Sequence, residues 1–356
     1  MLSWHNAGMS SVNPAEAFAT LSELRAAAKE KLPRDIWGYV AGAAGAEATR
    51  RRNRRAVRRL ALQQHVLTDV REVDTGVTLF GAQVAAPIIV APMGGLATGW
   101  PDGELEMARG ATAAAHLHTV SGSCLWPMED SAALGGPLIF QLYFHGDRDW
   151  AAARLARVQA AGYRAVALTV DSAVYSRRER DLVNRYRPRA RTGGSEPRGP
   201  DDTYPARLTW DDAAWVKNML RVPFGLKGIM TADDALRSLD LGAEFVWISN
   251  HGGRQLDDGL ATIDLLPAIA AVVGGRVPII IDGGFRRGSD VVKALALGAS
   301  AVAMGRTLFY GLAAAGSAGV QRTLDLLDLE LRITLALMGR TSLRELSPAD
   351  AAAGRN

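Results

Sequence analysis

The chain has 356 residues, of which 48% are hydrophobic and 22% are charged, a balance typical of a protein with one large buried core. Cys124 is the only cysteine, which excludes an intramolecular disulfide and a thiolate metal site and favours a reducing, cytoplasmic location. No run approaches the ~18 apolar residues of a membrane helix. The first residues lack the basic and apolar regions of a secretory signal.

The N-terminal part of the chain predicts helices with a strongly basic face. Apolar residues recur at helical spacing over residues 15–60, and Pro33 can begin a second helix. The net charge of +4 owes much to an arginine cluster at residues 50–59. Such a cluster could bind nucleic acid or an anionic membrane. No aromatic residues interleave with it, so we interpret it as a solvated helix face and predict no nucleic-acid partner.

From residue 80 onward, short apolar runs alternate with amphipathic segments. Eight such repeats predict an α/β fold, a closed (β/α)₈ (TIM) barrel, rather than an open sheet. We expect one domain over residues 1–356, with residues 1–80 as an N-terminal helical segment. The predicted strands are Ile88–Ala91, Thr119–Ser121, Leu138–Leu142, Ala165–Val170, Phe224–Lys227, Phe245–Ile248, Pro278–Asp282 and Ala301–Met304.

Two segments outside the repeats have their own predictions. Residues 187–206 are rich in Pro, Gly, Arg and Asp, which indicates a mobile loop and a candidate lid over the active site. The chain after Gly316 predicts a helix over Val320–Leu337, followed by a frayed tail.

Reactive residues follow the predicted strands, where such barrels carry their chemistry. His251 follows strand six and can act as a base near neutral pH. Arg254, three residues later, can bind a carboxylate through two hydrogen bonds. Asp171 ends strand four and can orient a neighbouring histidine. Arg178 is a second candidate for carboxylate binding.

Strands five, seven and eight end in residues suited to anions. Lys227 ends strand five and could form a Schiff base or face an anionic cofactor; the residues alone do not separate the two. The glycines and arginines of 283–288 and 304–306 suit a phosphate. Ser289 and Asp290 replace the Lys-Ser/Thr of a Walker motif, and no GxGxxG motif supports a nicotinamide-binding Rossmann domain.

The motifs taken together resemble the FMN-dependent 2-hydroxy acid oxidase and dehydrogenase family, which includes glycolate oxidase, lactate oxidase and mandelate dehydrogenase. The resemblance covers about residues 20–345 and is most similar to the mandelate dehydrogenase branch in the segments RERDL and DGGFRRGSDVVKALALGA. The other motifs that carry it are APMGG, QLY, LTVD, LKG, SNHGGRQLD and MGR.

This resemblance implies FMN as cofactor, no metal, and a role for each matching residue. His251 would be the base, supported by Asp171, and Lys227 would lie beside the flavin. The substrate would contact Tyr39, Tyr143, Arg178, His251 and Arg254, with Ser123 in the pocket wall. The flavin ring and its chain would contact Pro92, Met93, Gly94, Ser121, Gln141, Thr169, Ser249 and Asp282. The phosphate would contact Gly284, Arg286, Gly305 and Arg306.

Two positions depart from the short-chain oxidases of the family. Gly94 stands where many oxidases carry alanine and mandelate dehydrogenase carries glycine, which favours a dehydrogenase that reacts poorly with oxygen. Ser123 stands where glycolate oxidase has tryptophan, so the pocket is expected to accept an (S)-2-hydroxy acid with a bulky or aromatic side chain. The membrane-binding insert of mandelate dehydrogenase is absent, which argues against a membrane quinone as partner and weakens the argument for a dehydrogenase. The electron acceptor, whether oxygen, a quinone or a protein, stays open. The family commonly forms tetramers, so we expect a homotetramer.

Three alternatives remain. The same scaffold could carry an FMN oxidase that acts on a tailored peptide or a secondary metabolite. A type 2 isopentenyl diphosphate isomerase would bind a diphosphate instead of a carboxylate, which His251, Arg254 and Arg178 oppose. A basic, non-enzymatic binding protein on a degenerate barrel would not need these site residues.

Overall fold

The N-terminal part of the computed structural model, which describes residues 17–124, 126–186 and 204–354, consists of three helices followed by short strands. The side chain of Thr20 accepts a hydrogen bond from the backbone of Glu23, whose own side chain accepts from the backbone of Thr20, and this capping box begins the first helix. Pro33 caps the second helix. These helices are α1 (Leu21–Lys31), α2 (Arg34–Ala41) and α3 (Ala48–Arg59).

The predicted helical segment 1–80 differs from the structure in its last part, because the helices end at Arg59. Residues beyond it form β1 (Leu60–Leu62) and an antiparallel hairpin of β2 (Val77–Leu79) and β3 (Ala82–Val84). Leu79, Ala82 and Val84 are buried whereas Thr78 and Gln83 are exposed. This alternation has the period of a strand, not of a helix.

The centre of the molecule is a closed barrel of eight parallel strands, which confirms the predicted fold. Each observed strand overlaps its predicted counterpart, and the barrel closes between Val302 and Ile88. Every residue of these strands is buried except Gly228. The strands are β4 (Ile88–Val90), β5 (Leu117–Ser121), β6 (Leu138–Leu142), β7 (Ala165–Thr169), β8 (Phe224–Ile229), β9 (Phe245–Ile248), β10 (Ile279–Ile281) and β11 (Ala301–Met304).

Helices surround the barrel. The last one begins earlier than predicted and bends where Gly316 has a φ of 61°, since glycine tolerates this left-handed conformation. No helix of the described ranges is long and apolar enough to cross a membrane. The surrounding helices are α4 (Gly103–Ala113), α5 (Met128–Ala132), α6 (Arg148–Ala160), α7 (Glu179–Val183), α8 (Trp210–Asn218), α9 (Ala232–Asp240), α10 (Thr262–Val273), α11 (Gly288–Ala296) and α12 (Arg306–Leu337).

The hairpin β2–β3 covers the N-terminal end of the barrel. Leu79, Ala82 and Val84 belong to the same buried cluster as the inward-facing strand residues. Phe80 meets Phe245, the first residue of β9, edge to face with 4.9 Å between ring centroids. The site must therefore lie at the opposite end, where the strands terminate.

The C-terminal tail forms a strand that the sequence did not predict. Strand β12 (Ala351–Ala353) pairs antiparallel with β1, and the buried carboxylate of Asp350 binds Arg340 at 2.7 Å. No local pattern reveals this strand, because its partner lies near the other end of the chain. The last two residues, where fraying was predicted, lie outside the described residues. The predicted loop 187–206 lies mostly outside the described residues, apart from the 3₁₀ helix Tyr204–Arg207.

Candidate active site

A cavity of about 440 Å³ lies at the C-terminal end of the barrel, within the size range of small-molecule and cofactor sites. Nearly all of the predicted site residues line it. The three that do not are Asp171, Gln141 and Ser249, and each hydrogen-bonds a residue that does. The structure therefore brings together every residue that the sequence predicted for the site.

A hydrogen-bonded chain of three side chains crosses this cavity. His251 Nδ1 lies 2.9 Å from Asp171 Oδ1, and His251 Nε2 lies 3.2 Å from the hydroxyl of Tyr143. The backbone of His251 has a φ of 56°, and its N–H donates to Ser249 Oγ at 3.0 Å. Gly228 lets Asp171 approach, since a Cβ at residue 228 would lie 2.8 Å from the Asp171 Cβ.

The charge of Asp171 fixes the tautomer of His251. Burial raises the pKa of Asp171, but the charge and hydrogen bond of His251, together with the charge of Lys227, lower it below its usual value. An ionised carboxylate only accepts hydrogen bonds, so Nδ1 of the ring carries the proton. In the neutral ring, Nε2 accepts from Tyr143, whose own pKa burial raises. Nε2 is therefore the ring nitrogen that can take up a proton.

Two arginines lie close to this chain. The Arg178 guanidinium donates to the Tyr175 hydroxyl at 3.2 Å and lies 4.6 Å from its ring centroid. Arg254 donates to the Tyr39 carbonyl at 2.7 Å and lies 4.7 Å from the Tyr39 ring centroid. Burial, and next the charge of Arg254, lower the pKa of Arg178. A carboxylate between the two cations would relieve this repulsion.

Lys227 is buried within a polar network and lies inside β8, two residues before the strand ends at Ile229, rather than at its end as predicted. Its ammonium donates to Ser249 Oγ at 2.9 Å and lies 3.4 Å from Asp282 Oδ2. Asp282 also accepts from Ser249 at 2.9 Å and from the Trp247 indole at 3.0 Å. The carboxylate of Asp282 compensates the charge of the buried ammonium, and the hydrogen bonds hold Lys227 at the cavity wall.

Several buried polar atoms fit the edge of a flavin ring. Ser121 Oγ donates to Gln141 Oε1 at 3.0 Å. Gln141 Nε2 and Thr169 Oγ1 are buried, and neither has a hydrogen-bond partner among the described residues. Buried donors and acceptors are rarely left without a partner. A flat heterocycle with ring nitrogens and carbonyl oxygens, such as the isoalloxazine of FMN, would supply it.

Glycines and arginines form the other end of the cavity. Gly284 has a φ of 93°, and a Cβ there would lie 2.8 Å from the backbone of Asn53 in α3. Burial lowers the pKa of Arg286, and the charges of Arg54 and Arg50 add to this effect. Burial, and next the charge of Arg254, lower the pKa of Arg306 to about 9. Concentrated positive charge of this kind favours a phosphate.

Arg306 also has a structural task that the sequence did not indicate. Its guanidinium donates to the carbonyls of Val40 at 3.1 Å, Gly42 at 2.7 Å and Gly252 at 3.1 Å. It thereby joins the N-terminal segment to the loop that carries His251.

Sequence reasoning missed several side chains of the cavity wall, among them His145, Trp150, Arg154 and Tyr175. A signal for Arg154 was present, because it falls in the buried stripe of α6 with Ala151, Leu155 and Val158. An arginine in an apolar stripe is unusual.

Comparison with known proteins agrees with this geometry. The model of the FMN-dependent dehydrogenase family matches residues 28–353. The chain belongs to this family. It is 40% identical over 341 residues to a peroxisomal (S)-2-hydroxy-acid oxidase of Oryza sativa subsp. japonica, which covers 91% of this chain and 93% of the relative. It is 37% identical to an L-lactate oxidase of Nostoc sp., over 92% of this chain and 96% of the relative.

Solved structures show the same architecture. A mandelate oxidase variant with (S)-mandelic acid superposes with a TM-score of 0.89 and 36% identity, covering 95% of this chain and all of the other. A soluble variant of the membrane-associated (S)-mandelate dehydrogenase from Pseudomonas putida superposes with a TM-score of 0.87 and 33% identity, covering 94% of this chain and 99% of the other. The protein is therefore an FMN-dependent oxidoreductase of the 2-hydroxy acid oxidase and dehydrogenase group.

Proposed function

We propose that the protein oxidises an (S)-2-hydroxy acid with a bulky or aromatic side chain to the 2-oxo acid, with His251 as the base. The observation that carries this proposal is the Asp171–His251–Tyr143 chain beside two arginines in one cavity. A base, a pair of carboxylate-binding cations and a two-electron acceptor are what oxidation of a 2-hydroxy acid needs.

Each residue has a defined part in this reaction. Arg178 and Arg254 hold the substrate carboxylate, which fixes the orientation of the hydroxyl-bearing carbon. His251 Nε2 takes a proton from the substrate, and the adjacent carboxylate of Asp171 stabilises the imidazolium that results. The Tyr143 hydroxyl hydrogen-bonds the substrate oxygen. FMN, when bound, would accept the two electrons together with the second proton, as a hydride or its equivalent, and the Lys227 ammonium supplies positive charge at the cavity wall beside it.

The residue types in the cavity wall support a bulky substrate. Gly94 and Ser123 both line the cavity and lie against each other, since a Cβ at Gly94 would lie 3.1 Å from the Cβ of Ser123, and both are among the smallest residues. The mandelate oxidase that this chain resembles was solved with (S)-mandelic acid. Other relatives are named as an L-lactate oxidase and as an (S)-2-hydroxy-acid oxidase. A small 2-hydroxy acid is therefore the alternative substrate that an experiment must exclude.

The test is anaerobic bleaching of the flavin by a panel of acids. We expect (S)-mandelate and (S)-2-hydroxyoctanoate to reduce the flavin with a higher specificity constant than glycolate or lactate. Ser123→Trp should lower the constants for the two bulky acids by about tenfold or more, because an indole would occupy their space, and should spare glycolate. A wild-type preference for glycolate or lactate would refute the bulky substrate.

The same experiment separates the remaining possibilities. A yellow protein that no 2-hydroxy acid bleaches would favour an FMN oxidase of a tailored peptide or metabolite. Admitting air afterwards identifies the acceptor: slow recolouring favours the dehydrogenase that Gly94 suggests, and fast recolouring with peroxide favours an oxidase. The cytoplasmic location and the homotetramer stay predictions, and light scattering of the purified protein would test the second.

A further inference from the structure

Trp150 is the one tryptophan among the described residues that line the cavity. It lies in the first turn of α6, where its backbone N–H donates to Oδ1 of the N-cap residue Asp147 at 2.9 Å. This cap fixes the backbone of residue 150 at the start of the helix. The side chain is half-buried, so the indole packs partly against the protein and partly faces the cavity.

Two contacts hold the indole in place. A Cβ at Gly146 would lie 2.8 Å from Cγ and 2.9 Å from Cδ2 of Trp150, so the ring lies directly against residue 146. The Arg154 guanidinium, one helical turn later, lies 5.5 Å from the ring centroid, which is within the range of an attractive cation–π contact. The indole is therefore preorganised, and a ligand that binds it does not have to order it.

Arg154 connects the indole to the small residues of the cavity wall. Its Nη2 donates to the carbonyl of Gly122 at 3.1 Å. The next residue is Ser123, which lines the same cavity as Trp150. Arg154 thus links α6 to the end of β5, and the indole and Ser123 belong to one sector of the wall.

The loop after β6 connects the indole to the proposed base. The Tyr143 hydroxyl lies 3.2 Å from His251 Nε2, and the Tyr143 ring centroid lies 5.4 Å from that of His145. His145 directly precedes Gly146, against which the indole lies. A substrate whose hydroxyl is held at His251 and Tyr143 therefore has an aromatic wall on the side of this loop.

We propose that Trp150 is a specificity-determining residue that favours a substrate with an aromatic ring over one with an aliphatic ring of the same size. This inference rests on the proposed function and narrows its substrate class from bulky acids to aromatic ones. Aromatic rings pair in offset or edge-to-face geometry and gain free energy beyond the area that they bury. A saturated ring with the same number of carbon atoms buries a similar area against the indole but lacks this gain.

The experiment measures the binding of benzoylformate and cyclohexylglyoxylate, the 2-oxo acid products of (S)-mandelate and (S)-hexahydromandelate. Perturbation of the flavin spectrum of the oxidised holoenzyme gives both Kd values without turnover. Binding is the main measurement because a phenyl ring also activates the neighbouring C–H bond and would raise the rate by itself. We expect Trp150→Leu to lower the preference for benzoylformate, expressed as the ratio of the two Kd values, by about 2- to 12-fold. Trp150→Phe should retain most of it, and the kcat/KM ratio of anaerobic flavin reduction by the two hydroxy acids should change in the same direction.

Two further variants accompany this measurement. Gly146→Ala tests the position of the indole without changing its chemistry, because the new Cβ would lie 2.8 Å from the Trp150 Cγ and displace the ring; its Kd ratio should fall as in Trp150→Leu. Trp210→Leu is the matched control. Trp210 begins α8 and its ring centroid lies 4.6 Å from the Arg237 guanidinium, but it does not line the cavity, so this variant should keep the wild-type ratio.

The role of Trp150 and the proposed function can fail separately. An unchanged Kd ratio in both Trp150→Leu and Gly146→Ala would overturn the role of Trp150, and so would an equal fall in Trp210→Leu. If Trp150→Leu does not fold, Trp150→Phe and Gly146→Ala decide the question. Reduction of the wild-type flavin by both hydroxy acids would leave the proposed function standing in that case, whereas failure of both to bleach a yellow wild-type protein would refute the proposed function itself.

Discussion

Replacement of Asp171 by asparagine tests the proposed base most directly. The variant keeps the shape of the side chain but removes the charge that lies 2.9 Å from His251 Nδ1. A charge-assisted hydrogen bond contributes about 1.5–3 kcal/mol, and about 1.4 kcal/mol corresponds to tenfold in rate. Because the imidazolium forms only during the reaction, the loss should appear in kcat. We therefore expect flavin reduction to slow by about 10- to 150-fold.

The assay is stopped-flow reduction of the flavin under anaerobic conditions, with substrate at saturation. The pKa of Asp171 lies below its ordinary value of 3.8, so its carboxylate stays ionised at neutral pH. The charge that Asp171→Asn removes is consequently present in the wild type throughout an assay at neutral pH. Ser172→Ala is the comparison variant, since it removes the 3.1 Å hydrogen bond to Asp171 and the hydrogen bond to the Tyr143 side chain but leaves the Asp171 charge in place, and it should cost about tenfold at most. An equal loss in both variants would refute the assignment of Asp171 to the imidazolium.

Two further predictions concern the cofactor end and the core. Gly284→Ala should weaken FMN binding by about tenfold or more, because the new Cβ would lie 2.8 Å from the backbone of α3 at a φ of 93°. Gly275→Ala is the control: residue 275 also has a positive φ, but a Cβ there would have nothing within 4 Å, so this variant should retain FMN. The release of flavin on dilution measures both. Burial lowers the pKa of His118 to about 3 from 6.5, so the unfolded chain binds the extra proton and stability falls as pH drops from 6.5 towards 3. Urea unfolding of His118→Asn should show a shallower loss of stability between pH 7 and pH 5; a slope identical to that of the wild type would contradict this.

The barrel and the reactive residues were predictable for one physical reason. Parallel strands place all their carboxyl ends at one edge, so residues that directly follow strands must meet there. Asp171 and His251 are 80 residues apart, yet each could be assigned to a strand end from local pattern alone. The resemblance to the family then implied the roles, His251 as the base and Asp171 as its support. The spacing of the two residues in the sequence could not assign these roles.

Contacts that depend on distant parts of the chain were not predictable in this way. The pairing of Leu60–Leu62 with Ala351–Ala353 joins two short segments, and neither has enough residues to show a period. The hairpin under the barrel was missed because its inward residues are recognisable only when the barrel core is known. Arg306 shows the same limit, since its three backbone acceptors come from α2, the turn after it and the loop after β9.

Two pairs of arginines lie in different parts of a single cavity. Arg286 and Arg306 lie at the glycine-rich end, and Arg178 and Arg254 lie beside the base. Arginine keeps its charge even where burial lowers its pKa, because its ordinary value is so high. Each group therefore favours an anion or an acceptor in its own sector. If the first pair receives the FMN phosphate and the second pair the 2-carboxylate, the cofactor and the substrate each bind their own pair of cations and do not compete for one.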